Sequence, residues 1–135
     1  MCNTIGTNAF QRCSNLTSSN FPECITIGNS AFLTCSNLTS VDFPKCTNIG
    51  SYAFQRCSSL TSASFPRCSY IGGSGFSSCI NLSQITVGTE TSSVATLAGS
   101  NAFIYTPIAN SSYLGYFGSI YVLSSLLASY QTATN

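Results

Sequence analysis

Apolar side chains recur along this chain with a long and regular period. The pattern C-x-x-I-G-x-x-A-F-x-x-C-x-x-L-T-S-x-x-F-P-x repeats every 22 residues, and each period divides into two similar halves of 11 residues. Four periods occupy residues 2–23, 24–45, 46–67 and 68–89. A repeat of this length is typical of a solenoid, in which each unit stacks on the next.

Residues one period apart form columns of like side chains. The apolar columns are Ile5, Ile27, Ile49 and Ile71; Phe10, Phe32, Phe54 and Phe76; Leu16, Leu38, Leu60 and Leu82; and Phe21, Phe43, Phe65 and Val87. Stacked coils are expected about 4.8 Å apart, the spacing of paired strands. Because one coil cannot bury its own apolar side, neighbouring coils must hold one another.

The segment L-T-S-x-x-F-P predicts one short strand per coil, ended by a proline that lacks the N–H of a β-ladder. A glycine follows the isoleucine column in every coil: Gly6, Gly28, Gly50 and Gly72. We expect a turn with a positive φ at these glycines, where a Cβ would clash. The A-F-x-x-C piece is too short for a regular α-helix and predicts a 3₁₀ turn or an extended arc.

The motif I-G-x-x-A-F-x-x-C-x-x-L-T-S-x-x-F-P, complete from Ile49 to Pro66, resembles the BspA-like (Treponema pallidum type) leucine-rich repeats. The resemblance covers residues 2 to about 88 in four in-register copies. It implies a right-handed solenoid with a parallel β-sheet on one face. It also implies surface proteins that bind host protein, matrix or other cells, with no enzyme activity.

The tail resembles a closing module of such proteins from gut bacteria and their phages. The similar segments are Asn101-Ala102-Phe103, Thr106-Pro107-Ile108 and the strand-like run from Gly118 to Val122. The relatives have proline where this chain has Leu123. We therefore divide the chain into four repeats over residues 1–88 and a capping segment over residues 89–135.

The capping segment is predicted to contain one strand and one helix. Gly118 to Leu123 is typical of a strand, and Ser124 or Ser125 can cap a helix that ends near Thr132. A tyrosine-rich ligand patch is the alternative, formed by Tyr105, Tyr113, Tyr116 and Tyr121. At the other end, the first coil opens directly in register, so its apolar residues are expected to contact further repeats or a second copy.

Charge is scarce: only 5% of the residues are charged and the formal net charge is +1. This composition gives no electrostatic field that would attract nucleic acid. No segment is apolar enough for the roughly 20 residues that a membrane span requires, so no membrane insertion is expected. The sequence shows no signal peptide after Met1, and we expect a cell-surface or extracellular location as part of a longer protein. A virion component or a cytosolic protein is the alternative.

Eight cysteines, each 11 residues after the last, form two columns. No C-x-x-C motif and no histidine occur, which argues against zinc, and no cofactor is expected. Disulfides between neighbours in a column are possible by number, but parallel Cβ vectors disfavour the S–S torsion. Buried free thiols that act as small apolar residues fit better. A nucleophilic cysteine is disfavoured because no histidine base exists.

The outward strand positions form two polar stripes that we assign to ligand binding: Thr17, Thr39 and Thr61 in one, with Asn20, Asp42 and Ser64 in the other. A neutral hydroxyl-rich face suits a protein or glycan partner, so we predict a non-catalytic binding module. The alternative is a structural or self-assembling unit that stacks through its first coil. Ice binding is less favoured, since Thr and Ser in L-T-S should point to opposite faces.

Overall fold

A computed structural model describes residues 3–88, 95–98 and 101–108, together with the backbone of residues 119–121. The chain is a parallel β-solenoid, and the described residues contain no helix. The strands are β1 (Thr4–Ile5), β2 (Ser18–Asn20), β3 (Thr26–Ile27), β4 (Ser40–Asp42), β5 (Asn48–Ile49), β6 (Ser62–Phe65), β7 (Tyr70–Ile71), β8 (Gln84–Val87), β9 (Thr96–Leu97) and β10 (Ser119–Tyr121).

The strands form two parallel sheets of five strands each, one from each half of the coil. The odd-numbered strands form the isoleucine sheet in the order β1-β3-β5-β7-β9, and the even-numbered strands form the long-strand sheet in the order β10-β8-β6-β4-β2. Ile5 pairs with Ile27 and Phe65 pairs with Val87, so the register follows the 22-residue period. The predicted columns are therefore confirmed, and the C-x-x-I-G half contributes a sheet that the sequence did not indicate.

Two phenylalanine ladders fill the centre of the solenoid. In the first, Phe32 stacks on Phe54 with ring centroids 5.0 Å apart and an angle of 5° between the ring planes. In the second, Phe43 stacks on Phe65 at 5.5 Å and 4°. The ladders meet edge to face, as where Phe32 contacts Phe43 at 6.1 Å. Offset-stacked and edge-to-face pairs are the favoured arrangements of aromatic quadrupoles, so each ring stabilises neighbours in both directions.

The A-F-x-x-C segment is an arc of successive turns and not a 3₁₀ helix. In the first coil, Gln11 N–H donates to the Asn8 carbonyl, and Cys13 N–H donates to the Phe10 carbonyl. The alternate N–H groups donate to the next coil, as from Phe10 N–H to the Ala31 carbonyl at 2.7 Å. The arc therefore links neighbouring coils as a third ladder, and its buried amides are hydrogen-bonded.

Non-glycine residues occupy the left-handed turn positions of this arc. Two columns have φ near +60°: Asn8, Ser30, Tyr52 and Ser74, and Arg12, Thr34, Arg56 and Ser78. A positive φ at the third residue of a four-residue turn is the signature of a type II turn. A non-glycine residue is uncommon there, and a β-branched one such as Thr34 is unfavourable.

The prediction of positive φ at Gly6, Gly28, Gly50 and Gly72 is wrong, because Gly88 is the one glycine with a positive φ among the described residues. The interior glycines are required by close approach of the coils. A Cβ on Gly50 would lie 2.6 Å from the Asn29 backbone nitrogen, and one on Gly72 would lie 2.4 Å from that of Ser51. On Gly6, in the first coil, it would meet no atom within 4 Å.

The described residues beyond Val87 add a further rung to both sheets. Thr96–Leu97 pairs with β7, and Ser119–Tyr121 pairs with β8. Phe103 extends the first phenylalanine ladder, stacked 5.4 Å from Phe76. The predicted strand from Gly118 is thus confirmed at Ser119–Tyr121, while the helix proposed after Ser124 lies outside the described residues.

The described residues include no helix that could cross a bilayer.

Candidate binding face

A shallow groove of about 450 Å³ runs across the outer side of the long-strand sheet. Side chains on β2, β4, β6 and β8 line it in two rows: Ser18, Ser40, Ser62 and Gln84, and Asn20, Asp42, Ser64 and Thr86. Each strand alternates, so that Ser40 and Asp42 are exposed while Val41 between them is buried. The alternation leaves small hydroxyl and amide groups along the groove and one carboxylate, that of Asp42.

The structure separates the two stripes that the sequence assigned to binding. Asn20, Asp42 and Ser64 line the groove. The threonine stripe, with Thr17, Thr39 and Thr61, lies outside the groove because the strands begin one residue later, at the serines.

The threonine hydroxyls serve the stacking of the coils. Thr39 Oγ1 donates to the Thr17 carbonyl at 3.1 Å, and Thr61 Oγ1 donates to the Thr39 carbonyl at the same distance. Thr39 and Ser40 are both exposed, but Ser40 lines the groove and Thr39 does not. That the Thr and Ser of L-T-S face opposite sides stays a prediction.

The serine row is the part of the groove that the hydrophobic pattern of the sequence does not predict. Counting from Leu38 predicts that Thr39 is an outward strand residue. In β4 the outward residues are Ser40 and Asp42, and Val41 between them is buried. The signal that could have located this row is the position of Val41 midway between two polar residues.

A second, smaller groove of about 300 Å³ lies on the isoleucine sheet. Its outward row is Thr26, Asn48 and Tyr70, on β3, β5 and β7, and the backbone of Gly28 and Gly50 contributes to its lining. The Tyr70 side chain is 37% exposed. This groove is not predictable from the sequence, because the two-residue strands that build it have no recognisable hydrophobic pattern of their own.

The described cysteines are free thiols, and all except Cys13 are buried. One column donates to carbonyls of the preceding coil, as from Cys57 Sγ to the Phe32 oxygen at 3.1 Å. The other donates locally, as from Cys46 Sγ to the Asn48 oxygen at 3.4 Å. Free buried thiols, predicted from the sequence, are confirmed for Cys24 to Cys79.

Burial is the main reason that the pKa of Cys35, Cys46 and Cys68 is raised, which keeps these three thiols protonated. It raises the pKa of Cys46 and of Cys68 to about 12. It also raises the pKa of Cys35 to about 12, with a smaller contribution from Cys57. For Cys57, the hydrogen bond with the Cys79 thiol and then burial raise the pKa. Because the thiolate is the nucleophile and the metal ligand, a raised pKa makes Cys35, Cys46, Cys57 and Cys68 suited to packing.

Other candidate groups are dispersed over the surface. Within residues 3–88, 95–98 and 101–108, no three His, Cys, Asp or Glu side chains group in a way that would hold a metal ion. Glu23 and Lys45 form a surface ion pair of 2.6 Å across two coils, as their shared column predicts. Of the proposed tyrosine patch, Tyr105 is exposed, while Tyr113, Tyr116 and the side chain of Tyr121 lie outside the described residues.

The family that matches this chain is the BspA type leucine-rich repeat region, in six copies over residues 2–121. A crystal structure of a leucine-rich repeat protein from Bacteroides ovatus is similar, with a TM-score of 0.63 and 31% sequence identity over 74% of this chain. The chain spans 26% of the length of that protein. None of the curated proteins matches. With the repeat pattern, the coil geometry and the family match in agreement, this chain belongs to the BspA-type leucine-rich repeat family.

Proposed function

We propose that this chain is a non-catalytic binding module of a surface protein, and that the groove on the long-strand sheet contacts a protein or glycan partner. The observation that carries the proposal is the continuity of the groove. Polar side chains on four consecutive strands line about 450 Å³ without an aromatic side chain among them. Binding surfaces of solenoid proteins are extended in the same way, with each coil contributing a few side chains.

The chemistry of the groove favours recognition through hydrogen bonds. Serine hydroxyls both donate and accept, and the Asn20 and Gln84 amides do the same with fixed geometry. Asp42 adds a single acceptor charge near the centre of the groove. Such a face gains little from apolar burial, so we expect modest affinity per module and a benefit from many repeats in one chain.

The test uses fluorescently labelled protein with cultured epithelial cells and with surfaces coated with extracellular-matrix proteins. The double variant S40R/S62R places two long side chains in the groove. We expect it to lose binding by about tenfold or more, the consequence of losing about 1.4 kcal/mol of contact energy. The melting temperature of each variant shows whether the fold is retained.

A matched control is available at the residues that immediately precede the same two strands. T39R/T61R introduces the same residues and the same charge just outside the groove, and it should bind the same surfaces as the unaltered chain. Equal losses in both variants, or no loss in S40R/S62R, would remove the groove from consideration. Loss in T39R/T61R alone would return the site to the threonine stripe.

A second function, self-association through the first coil, is favoured by the incomplete burial of that coil. Phe10, Leu16 and Phe21 are only partly buried, and Cys13 is exposed. An exposed apolar end of this kind suits stacking on a further coil or on a second copy. Analytical ultracentrifugation over a concentration series distinguishes the cases: we expect dimers that the variant F10K dissociates, and a monomer at every concentration counts against this function.

A further inference from the structure

The groove on the isoleucine sheet has features that the proposed function leaves unused. Asn48 pairs with Thr26 on one side and with Tyr70 on the other, so the three side chains form one row across three strands. The Tyr70 side chain is 37% exposed and Asn48 is exposed. We infer that this row, together with the glycine backbone beside it, is a second ligand site that binds a neutral linear oligosaccharide.

The charge of the groove selects the class of ligand. None of its lining residues is acidic or basic, so neither a phosphate or sulfate group nor a cationic side chain finds a partner of opposite charge. The ligand must then be neutral and must supply both donors and acceptors to an amide and a hydroxyl. A glycan meets both conditions with its ring hydroxyls.

Among the described residues, the Asn48 side chain makes no hydrogen bond, whereas the neighbouring Asn29 side chain is hydrogen-bonded to the backbone. Asn29 Oδ1 accepts a hydrogen bond from the Ser51 backbone N–H at 2.9 Å. Both asparagines line the same groove, yet only the Asn29 side chain is hydrogen-bonded within the chain. The Asn48 amide is thus available to a ligand with both its donor and its acceptor.

The sheet itself excludes a peptide that would bind by adding a strand. β3, β5 and β7 are interior strands, each paired on both sides. Their ladder groups are already used, so strand addition has no free edge at this groove. Recognition must come from side chains, which suits a sugar that presents hydroxyls at its rim and C–H groups on its face.

Tyr70 provides the surface for the sugar face. An aromatic ring has a negative face that attracts the weakly positive C–H groups of a pyranose. Asn48 and Thr26 lie one and two coils away in the same row, about 4.8 Å per coil. Successive sugar units of an extended chain can therefore contact successive coils, with one unit on the ring and the next at the amide.

The experiment is isothermal titration of the full chain with cellotetraose, mannotetraose and chitotetraose. Sialyllactose serves as a charged comparison and a Ser/Thr-rich neutral peptide as a non-sugar comparison. At least one neutral tetrasaccharide should bind. Y70A should weaken its binding by about tenfold, the magnitude expected from one aromatic contact. Y70F keeps the ring and should bind within about twofold of the original chain.

Two matched variants locate the site. Y52A removes another exposed tyrosine, 48% exposed and outside the groove, and should leave the affinity unchanged. S40R/S62R blocks the other groove and should also leave it unchanged, which separates this site from the proposed function. Absence of binding by all three tetrasaccharides would overturn the inference. So would an unaltered affinity of Y70A, or preferential binding of sialyllactose or the peptide.

Discussion

The first coil and the interior coils share most of their core residues, yet several of these residues are buried to different extents. Phe32 and Leu38 are fully buried, whereas their counterparts Phe10 and Leu16 are only partly buried. Cys35 has no exposed surface, while Cys13 in the same column is exposed. The chemistry of the coil is constant, so the difference arises from the number of neighbouring coils.

This comparison shows that full burial of the core side chains requires a neighbouring coil on both sides. A coil with a neighbour on both sides has its apolar columns covered. In the first coil, which has one neighbour, Ile5 is still buried, but Phe10, Leu16 and Phe21 are only partly covered. Local stability should therefore rise from the first coil inward. The same substitution made at equivalent positions of two coils measures that gradient directly.

The largest difference is expected in thiol reactivity. Cys13 should react with iodoacetamide in the folded chain, whereas Cys35 should react only after the coils open. With a global stability of at least about 5 kcal/mol, protection of Cys35 should reach roughly a thousandfold or more. Peptide mass spectrometry after timed alkylation gives both rates from one sample. Similar rates at the two cysteines would show that the interior coils open as readily as the first.

The phenylalanine ladder gives the next largest difference. Phe54→Ala should cost roughly 3–5 kcal/mol of unfolding free energy, because a fully buried ring is replaced by a cavity. Phe10→Ala should cost about half of that, because one side of the ring is uncovered. Urea unfolding measures both, with Gln55→Ala near neutral as the surface control. Equal costs at Phe10 and Phe54 would contradict the gradient.

The glycines beside the isoleucine column differ in the same direction. Gly50→Ala should cost about 1–3 kcal/mol, because the new methyl group would lie 2.6 Å from backbone atoms of the preceding coil. Gly6→Ala has open space and should be neutral or gain about 0.4–1 kcal/mol from the stiffer unfolded chain. Thermal unfolding of the two variants is the measurement. A destabilised Gly6→Ala variant would contradict the explanation that these glycines are required by contact with the preceding coil.

Alkaline pH should act mainly through the interior thiols. In the unfolded chain they ionise near their ordinary pKa of 9.0, whereas burial holds the pKa of Cys46 at about 12 in the folded chain. The unfolded state therefore loses its protons first, so the stabilisation is complete below pH 9 and declines as the pH rises toward 12. Urea unfolding across this range should show the decline, and Cys46→Ala should make it shallower. The same slope in both chains would contradict this origin.

The smallest effect is expected at Ser19, whose hydroxyl is buried without a hydrogen-bond partner among the described residues. Val41 and Ala63 occupy the same inward column in the next two coils. Ser19→Val removes the unpaired hydroxyl and extends this apolar column, so we expect a gain of about 1 kcal/mol. Ser18→Val, on the outward side, should give no gain in the same melting experiment. A loss at Ser19 would mean that water or a partner satisfies the hydroxyl.

The sequence predicted the stacking in detail, because a 22-residue period specifies which side chains face one another before any strand is assigned. It did not predict the isoleucine sheet, since a two-residue strand such as Asn48–Ile49 is too short to alternate. It assigned a positive φ to Gly50, although the actual constraint is the nearness of another coil, which local sequence does not reveal.

The rung after Val87 was hidden for a different reason. In the ladder, Phe103 follows Phe76, although a strict period would place Ala98 there. Inserted residues change the spacing without changing the stacking, so the count of repeats stops early. For the threonine stripe, counting the alternation from Leu38 makes Thr39 an outward strand residue, whereas β4 begins at Ser40.

Stacking in register also imposes an electrostatic rule on this surface. Each side chain faces its equivalents in the adjacent coils, so a repeated charge would be repelled by its own copies. Arg12 and Arg56 are separated by the uncharged Thr34, in line with this rule. Lys45 and Arg67 are the exception, since they are like charges in adjacent coils, and Glu23 forms an ion pair with Lys45 from the other side. A new acid at Ser64, beside Asp42, would be unfavourable unless an adjacent coil gained a base. Surface variation in such a protein is therefore constrained coil by coil, and hydroxyl and amide groups are the side chains that can be repeated freely.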